Sequence, residues 1–248
     1  VRASFPQAYA DAIATYLGMA VSRLSNRMSS LSFWDTVGEN TQQVFARQAL
    51  PMIWDFVEAN PICNSTGSFI NGFEYICSNL QRLPSNVSAV VIQNEITKGL
   101  PDVTNPIIST DPPYYDNIGY ADLSDYFYIW LRYCLRNIYT DLFSTLLVPK
   151  AEELVATPYR FNGNLREANI FFENGLHKAL SNIKVACNHN YPVTIFYAYK
   201  QSEEKEEGRS STGWETFITS VIDVGLQIHG TWPMRTEQPG GLRVIGQN

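Results

Sequence analysis

The residues best suited to chemistry in this chain are Asp111-Pro112-Pro113-Tyr114. They follow Pro106-Ile107-Ile108-Ser109-Thr110, an apolar run that reads as a strand. Ligands of open α/β sheets bind at the carboxyl ends of strands, where these four residues fall. The two prolines lack backbone donors and restrict φ, so the loop is stiff and its carbonyls are acceptors of fixed direction. The aspartate adds another acceptor and the tyrosine a flat face. This set suits an exocyclic amine on a nucleobase. The adenine N6 lone pair is delocalised into the ring and is a poor nucleophile. The Asp111 carboxylate and the Pro112 carbonyl, each taking one N6 hydrogen, favour a more tetrahedral nitrogen with its lone pair free. Tyr114 would stack on the base once it leaves the duplex. Extrusion costs a few kcal/mol, and base–aromatic stacking returns about 1–3 kcal/mol. The methyl donor would be a sulfonium attacked in line, with no covalent nucleophile or metal required. A simple Pro-Pro turn after a strand is the other reading of the same four residues.

The elements that must position this loop are read from periodicity. Helices are expected at about 8–29, 39–59, 69–82, 120–139, 166–186 and 214–224, with Pro51 kinking the second. On the first, Arg23 and Arg27 stand one turn apart. Strands are expected at Val87–Ile92, Pro106–Thr110, Val193–Tyr199, about 226–232, and from Leu242 to Ile245. Short continuous apolar runs of this kind suit a parallel sheet buried on both faces. Residues 157–165 read as a loop, and 201–213, with its Glu/Lys run, as a mobile charged loop. Strands alternating with helices define the class as α/β. The chain divides on this reading into a helical segment, 1–85, and the part carrying the catalytic loop, 86–248.

The match around the loop extends further. Thr110-Asp111-Pro112-Pro113-Tyr114-Tyr115-Asp116-Asn117-Ile118-Gly119-Tyr120-Ala121-Asp122-Leu123-Ser124-Asp125-Tyr126-Phe127-Tyr128-Ile129-Trp130-Leu131-Arg132 closely resembles the motif of a prokaryotic family of adenine-specific DNA methylases, large proteins that often carry a zinc ribbon. Phe45–Met52, Pro149–Val155, Gly213-Trp214-Glu215-Thr216 and Thr231–Glu237 match further segments in the family's order. The resemblance implies a Rossmann-like methyltransferase fold, S-adenosylmethionine as methyl donor and adenine N6 in DNA as acceptor. It carries Asp111, Pro112, Pro113 and Tyr114 over as the catalytic loop, with Tyr115, Asp116 and Asn117 flanking it on the substrate side. A role in restriction-modification or phage defence, in the cytoplasm, is implied in the same way.

The sequence departs from that family in two places. No G-x-G occurs anywhere, whereas such enzymes bind the cofactor with a Gly-rich turn after the first strand. Where they often place an acidic residue near the cofactor adenine, this chain reads Gln93-Asn94-Glu95, which leaves Asn94 and Glu95 as weak cofactor candidates. The chain opens Val1-Arg2-Ala3 and ends Gly246-Gln247-Asn248 in what reads as mid-strand. It is therefore expected to be the downstream part of a larger enzyme, with an upstream part of the same protein as partner and a sheet that is incomplete. Two further readings remain. One is methylation of cytosine N4 or of an RNA base; the other is a non-catalytic piece serving DNA binding or assembly.

Composition sets the bounds. The 248 residues are 45% hydrophobic and 17% charged, which excludes disorder and coiled coil as the global class. No apolar run is long enough for a transmembrane helix, so no membrane partner is expected. A net charge of −6 argues against nucleic-acid binding by overall charge, although phosphate contacts are set locally. Cys63, Cys77, Cys134 and Cys187 form no C-x-x-C pair, and neither a zinc site nor a disulfide framework is expected. Asp122 and Asp125 read as first-turn acids favouring a helix dipole. The aromatics from Tyr126 to Tyr133 read mainly as core. Arg132 and Arg136 read equally as phosphate ligands or as partners of acids such as Asp125, and Lys150 as a surface lysine. His177, His189 and His229 stand singly, and no triad is expected.

Overall fold

A computed structural model describes residues 5–46, 49–84, 86–115, 118–198 and 212–234. The chain forms two compact units, interleaved in sequence. The first comprises Val1–Val91 with Tyr120–Lys150, the second Ile92–Gly119 with Ala151–Asn248. The class is α/β, with five α-helices and two two-stranded sheets among the described residues.

In the first unit, α1 (Gln7–Ser25) packs against α2 (Phe69–Leu80) and α3 (Tyr120–Leu135). Alanines at 8, 10, 12 and 14 favour α1 as a helix. Gly18 lets α1 approach α3 closely: a Cβ there would lie 3.2 Å from the Leu135 side chain. α2 starts where the Ser68 hydroxyl accepts the Asn71 amide at 3.1 Å, an N-cap. Of the α3 aromatics, Tyr128 is buried with Leu135 and Phe143. Tyr126 and Phe127 pack on Phe45, whereas Trp130 and Tyr133 are exposed, so the aromatic stripe is only partly core. Arg132 donates to the Phe143 carbonyl, and Asp125 instead holds Lys150 at 2.7 Å and accepts the Val148 amide at 2.8 Å.

The helix expected over 39–59 does not form. Asn40–Thr41 (β2) pairs antiparallel with Trp34–Asp35 (β1), and the Asp35 carboxylate accepts the Val37 amide in the intervening turn. Pro51 removes a helical donor and disfavours helix in the residue before it. With no helical face to bury, Leu50, Met52, Trp54 and Phe56 are exposed. The strand expected at Val87–Ile92 is also absent. Val90 and Val91 lie exposed, and among the described residues no strand lies beside them to pair with. β-branched residues favour strands only where a neighbour gives them a surface to pack on.

In the second unit, β3 (Ser109–Thr110) and β4 (Thr194–Ile195) pair in parallel. The Phe196 amide extends the ladder by donating to the Thr110 carbonyl at 2.8 Å. Both strands are shorter than expected. α4 (Leu165–Ala186) is N-capped by Asn164, whose side-chain oxygen accepts the Glu167 amide at 3.2 Å. Its apolar residues Ala168, Phe172, Leu176, Ala179, Leu180 and Ile183 recur at helical spacing and form the buried stripe. Phe172, Leu176, Leu180 and Ile183 of this stripe make the core with Leu154, Ala156, Phe217 and Val221. α5 (Thr212–Asp223) ends in a Schellman motif: Gly225, at φ 74°, donates to the Ile222 carbonyl, and the Leu226 amide to the Val221 carbonyl. This closure takes the chain out of α5 without the strand expected at about 226–232. The strand expected at Leu242–Ile245 lies outside the described residues.

Candidate functional site

The parallel pairing of β3 and β4 puts their carboxyl ends on the same side. Asp111-Pro112-Pro113-Tyr114 leaves β3 there, and Phe196-Tyr197 leaves β4 beside it. Asp111 is exposed, while Pro112, Pro113 and Tyr114 are half-buried. The Tyr114 hydroxyl donates a hydrogen bond to Asp111 Oδ1, which closes the loop on itself. A carboxylate has about four acceptor positions, so Asp111 keeps capacity for a further donor.

Aromatic side chains back the loop. Tyr114 meets Tyr197 edge to face at 5.7 Å and 85°. Tyr197 stacks on Phe217 at 4.3 Å and 12°, and its hydroxyl donates to the Gly213 carbonyl at 3.1 Å. Trp214 lies 6.1 Å from Tyr197 and 5.8 Å from Phe217. Three elements therefore meet at the loop: the two strand ends and the first turn of α5.

Tyr115 anchors the loop's far end. It sits at φ 46°, a left-handed conformation that costs a residue with a bulky side chain and persists only where its surroundings hold it. Its carbonyl accepts the Ala156 amide at 3.0 Å, and its ring meets Phe172 edge to face at 5.2 Å. Gly213 closes on it from α5: a Cβ there would lie 3.0 Å from Tyr115 Cβ and 3.3 Å from Cγ. Gly213→Ala is expected to displace Tyr115 and the loop it ends. The Tyr114–Tyr197 contact should then loosen, which tyrosine ring chemical shifts would report.

Asp116 and Asn117 lie outside the described residues. Asn94 and Glu95 belong to the same unit, but their side chains are used locally. Asn94 Nδ2 donates to the Gly99 carbonyl at 2.7 Å. Glu95 accepts from Thr97 Oγ1 at 2.6 Å and pairs with Lys98 at 2.5 Å. The hydrogen bond from Lys98, and after it that from Thr97, holds the Glu95 carboxyl below its ordinary value, while Glu95 raises the Lys98 ammonium. The depressed carboxyl adds stability that is present above pH 4.5 and fades as pH falls through its lowered value. The raised ammonium adds stability that is present below pH 10.5 and fades as pH rises through its raised value. The pair faces solvent, so salt weakens it. Lys98→Ala should move the Glu95 titration back up toward 4.5, read by NMR, and leave the pH 7 melting curve nearly unchanged.

Sequence reasoning about the loop did not single out Tyr197, Phe217 or Gly213. Periodicity gave no signal for them. Only the matching segment Gly213–Thr216 pointed to the first turn of α5. In the same unit, Glu153 and Arg160 form an ion pair at 2.7 Å with both side chains mostly buried, flanking Ala156, the donor to Tyr115. Among the described residues no helix is long and apolar enough to cross a membrane. Compared with models of known families, with characterised proteins and with solved structures, the chain matches none.

Proposed function

We propose that the Asp111–Tyr114 loop is the amine-holding element of a Rossmann-like, S-adenosylmethionine-dependent methyltransferase acting on adenine N6 in DNA. The observation that carries the reading is the placement of an Asp-Pro-Pro-Tyr loop at the carboxyl end of a parallel strand, backed by aromatic rings. The Asp111 carboxylate and the Pro112 carbonyl take the two N6 hydrogens. Taking both hydrogens withdraws the nitrogen lone pair from the ring and leaves it available for attack. Tyr114, supported by Tyr197, gives the extruded base a face to stack on. The proposed donor supplies an electrophilic methyl group when bound. Asn94 Nδ2 and the Glu95 carboxylate are engaged locally by Gly99, Thr97 and Lys98. They are accordingly assigned no contact with it, and no step is derived through it. The test is the formation of N6-methyladenine in DNA incubated with the complete protein and S-adenosylmethionine, read by mass spectrometry of the nucleosides. N4-methylcytosine in its place would move the reading to cytosine.

The local engagement of Asn94 and Glu95, with no G-x-G in the sequence, favours a second reading for this chain alone: a DNA-binding or assembly piece. Calorimetry with S-adenosylmethionine separates the two. Micromolar binding by the 248 residues would overturn the second reading.

A further inference from the structure

The first unit holds a cavity of about 300 Å³ whose lining includes Arg23, Arg27, Thr66, Ser68, Asn71 and Tyr75, and among the described residues no carboxylate lines it. Arg23 reaches it from the last turn of α1, and Arg27 from the turn just beyond that helix's end. Each guanidinium is held by a neutral partner. That of Arg23 lies 4.7 Å above the centre of the Tyr75 ring, and that of Arg27 donates to the Thr41 carbonyl. An aromatic face and a carbonyl orient the two groups without neutralising them. Burial, and after it the charge of Arg23, push the Arg27 pKa below the ordinary arginine value.

The wall opposite is built closely around Arg27. Gly67 has φ 89°, and a Cβ there would lie 2.7 Å from both Arg27 Cδ and Thr41 Oγ1. Only glycine fits that position, for its backbone angle and for its contact with the arginine stem. The start of α2 is not what would hold a ligand. The amides of Ser68, Phe69 and Asn71 already donate to Ser65 O, Pro61 O and Ser68 Oγ. The donors offered to the cavity include the two guanidiniums and the polar side chains around them.

We propose that this cavity binds a phosphate group between Arg23 and Arg27. A guanidinium presents its N–H groups as a planar fork that matches two oxygens of a phosphate, and one N–H of Arg27 spent on Thr41 leaves others for the ligand. The bound anion would also relieve the repulsion between the two cations. The chemistry is common to free phosphate and to the phosphodiester of a nucleic acid, and the inference does not depend on the methyl-transfer reading.

The experiment is calorimetric titration of the 248-residue chain with inorganic phosphate at ionic strength held constant with chloride, repeated in competition with a single-stranded oligodeoxynucleotide. Saturable phosphate binding is expected. It should weaken about tenfold or more in Arg23→Gln/Arg27→Gln and stay unchanged in Arg166→Gln, an exposed arginine of the second unit. Arg27→Lys, which keeps the charge and so guards against misfolding of the double variant, should fall between them. Displacement of phosphate by the oligonucleotide would identify a polynucleotide as the source of the group. Failure to displace it would identify a free phosphate compound. No saturable binding, or equal loss in Arg166→Gln, would overturn the site.

Discussion

Asp111→Ala in the complete protein is expected to reduce N6-methyladenine formation about 100-fold or more, the range typical of removing one preorganised polar group from a reacting centre. The substitution removes the charged acceptor that the proposed mechanism places on the target amine. It also removes the Asp111 acceptor of the Tyr114 hydroxyl, so the lost carboxylate must be separated from the lost tether. Tyr114→Phe makes that separation. It keeps the carboxylate and the stacking ring and removes the hydroxyl that donates to Asp111, a hydrogen bond whose net worth is about 1 kcal/mol. The expected order is therefore Tyr114→Phe within about tenfold of the parent and Asp111→Ala far below it. Tyr114→Ala, which removes the ring, should raise KM for DNA more than it lowers kcat, because stacking holds the extruded base before reaction. Full activity in Asp111→Ala would remove the aspartate from the chemistry. Equal losses in Asp111→Ala and Tyr114→Phe would make its role the shape of the loop.

Phe172→Ala is expected to cost about 3–5 kcal/mol of stability, the range for emptying a large buried aromatic site. Phe172 is 1% exposed at the middle of α4, within the cluster that includes Leu176, Leu180, Phe217 and Val221. A domain's net stability is about 5–15 kcal/mol, so this one side chain carries a large share of it. For a unit of this size the melting temperature should fall on the order of 10 °C. Val185, exposed on the same helix, is the control: Val185→Ala should change stability by less than about 0.5 kcal/mol. Phe172 also supports Tyr115 edge to face, so the cavity opens against the residue that ends the loop. Activity measured well below the melting temperature should therefore fall too. Equal stability in the two variants would mean that the α4 stripe is not the core of its unit.

The sequence by itself determined the helices best. α2, α4 and α5 lie within about two residues of where apolar spacing puts them, because that signal is local, and in the structure Ser68 and Asn164 cap the first turns of the helices they precede. The Asp-Pro-Pro-Tyr loop was legible for the same reason, since the prolines act on the backbone at their own positions. Long-range pairing was not legible. Val87–Ile92 has the residue types of a strand and no strand beside it, while residues 39–59 have an apolar helical period that Pro51 and a short hairpin override. Only the tertiary structure brings β4 and the first turn of α5 to the loop, so that Tyr197 meets Tyr114 and Gly213 meets Tyr115. Those partners lie about 80 to 100 residues away in the chain, and no periodicity reaches that far. The same holds for the cavity of the first unit. Arg23 and Arg27 are visibly one turn apart in the sequence, but the Thr66–Tyr75 wall that makes a pocket of them is supplied by packing.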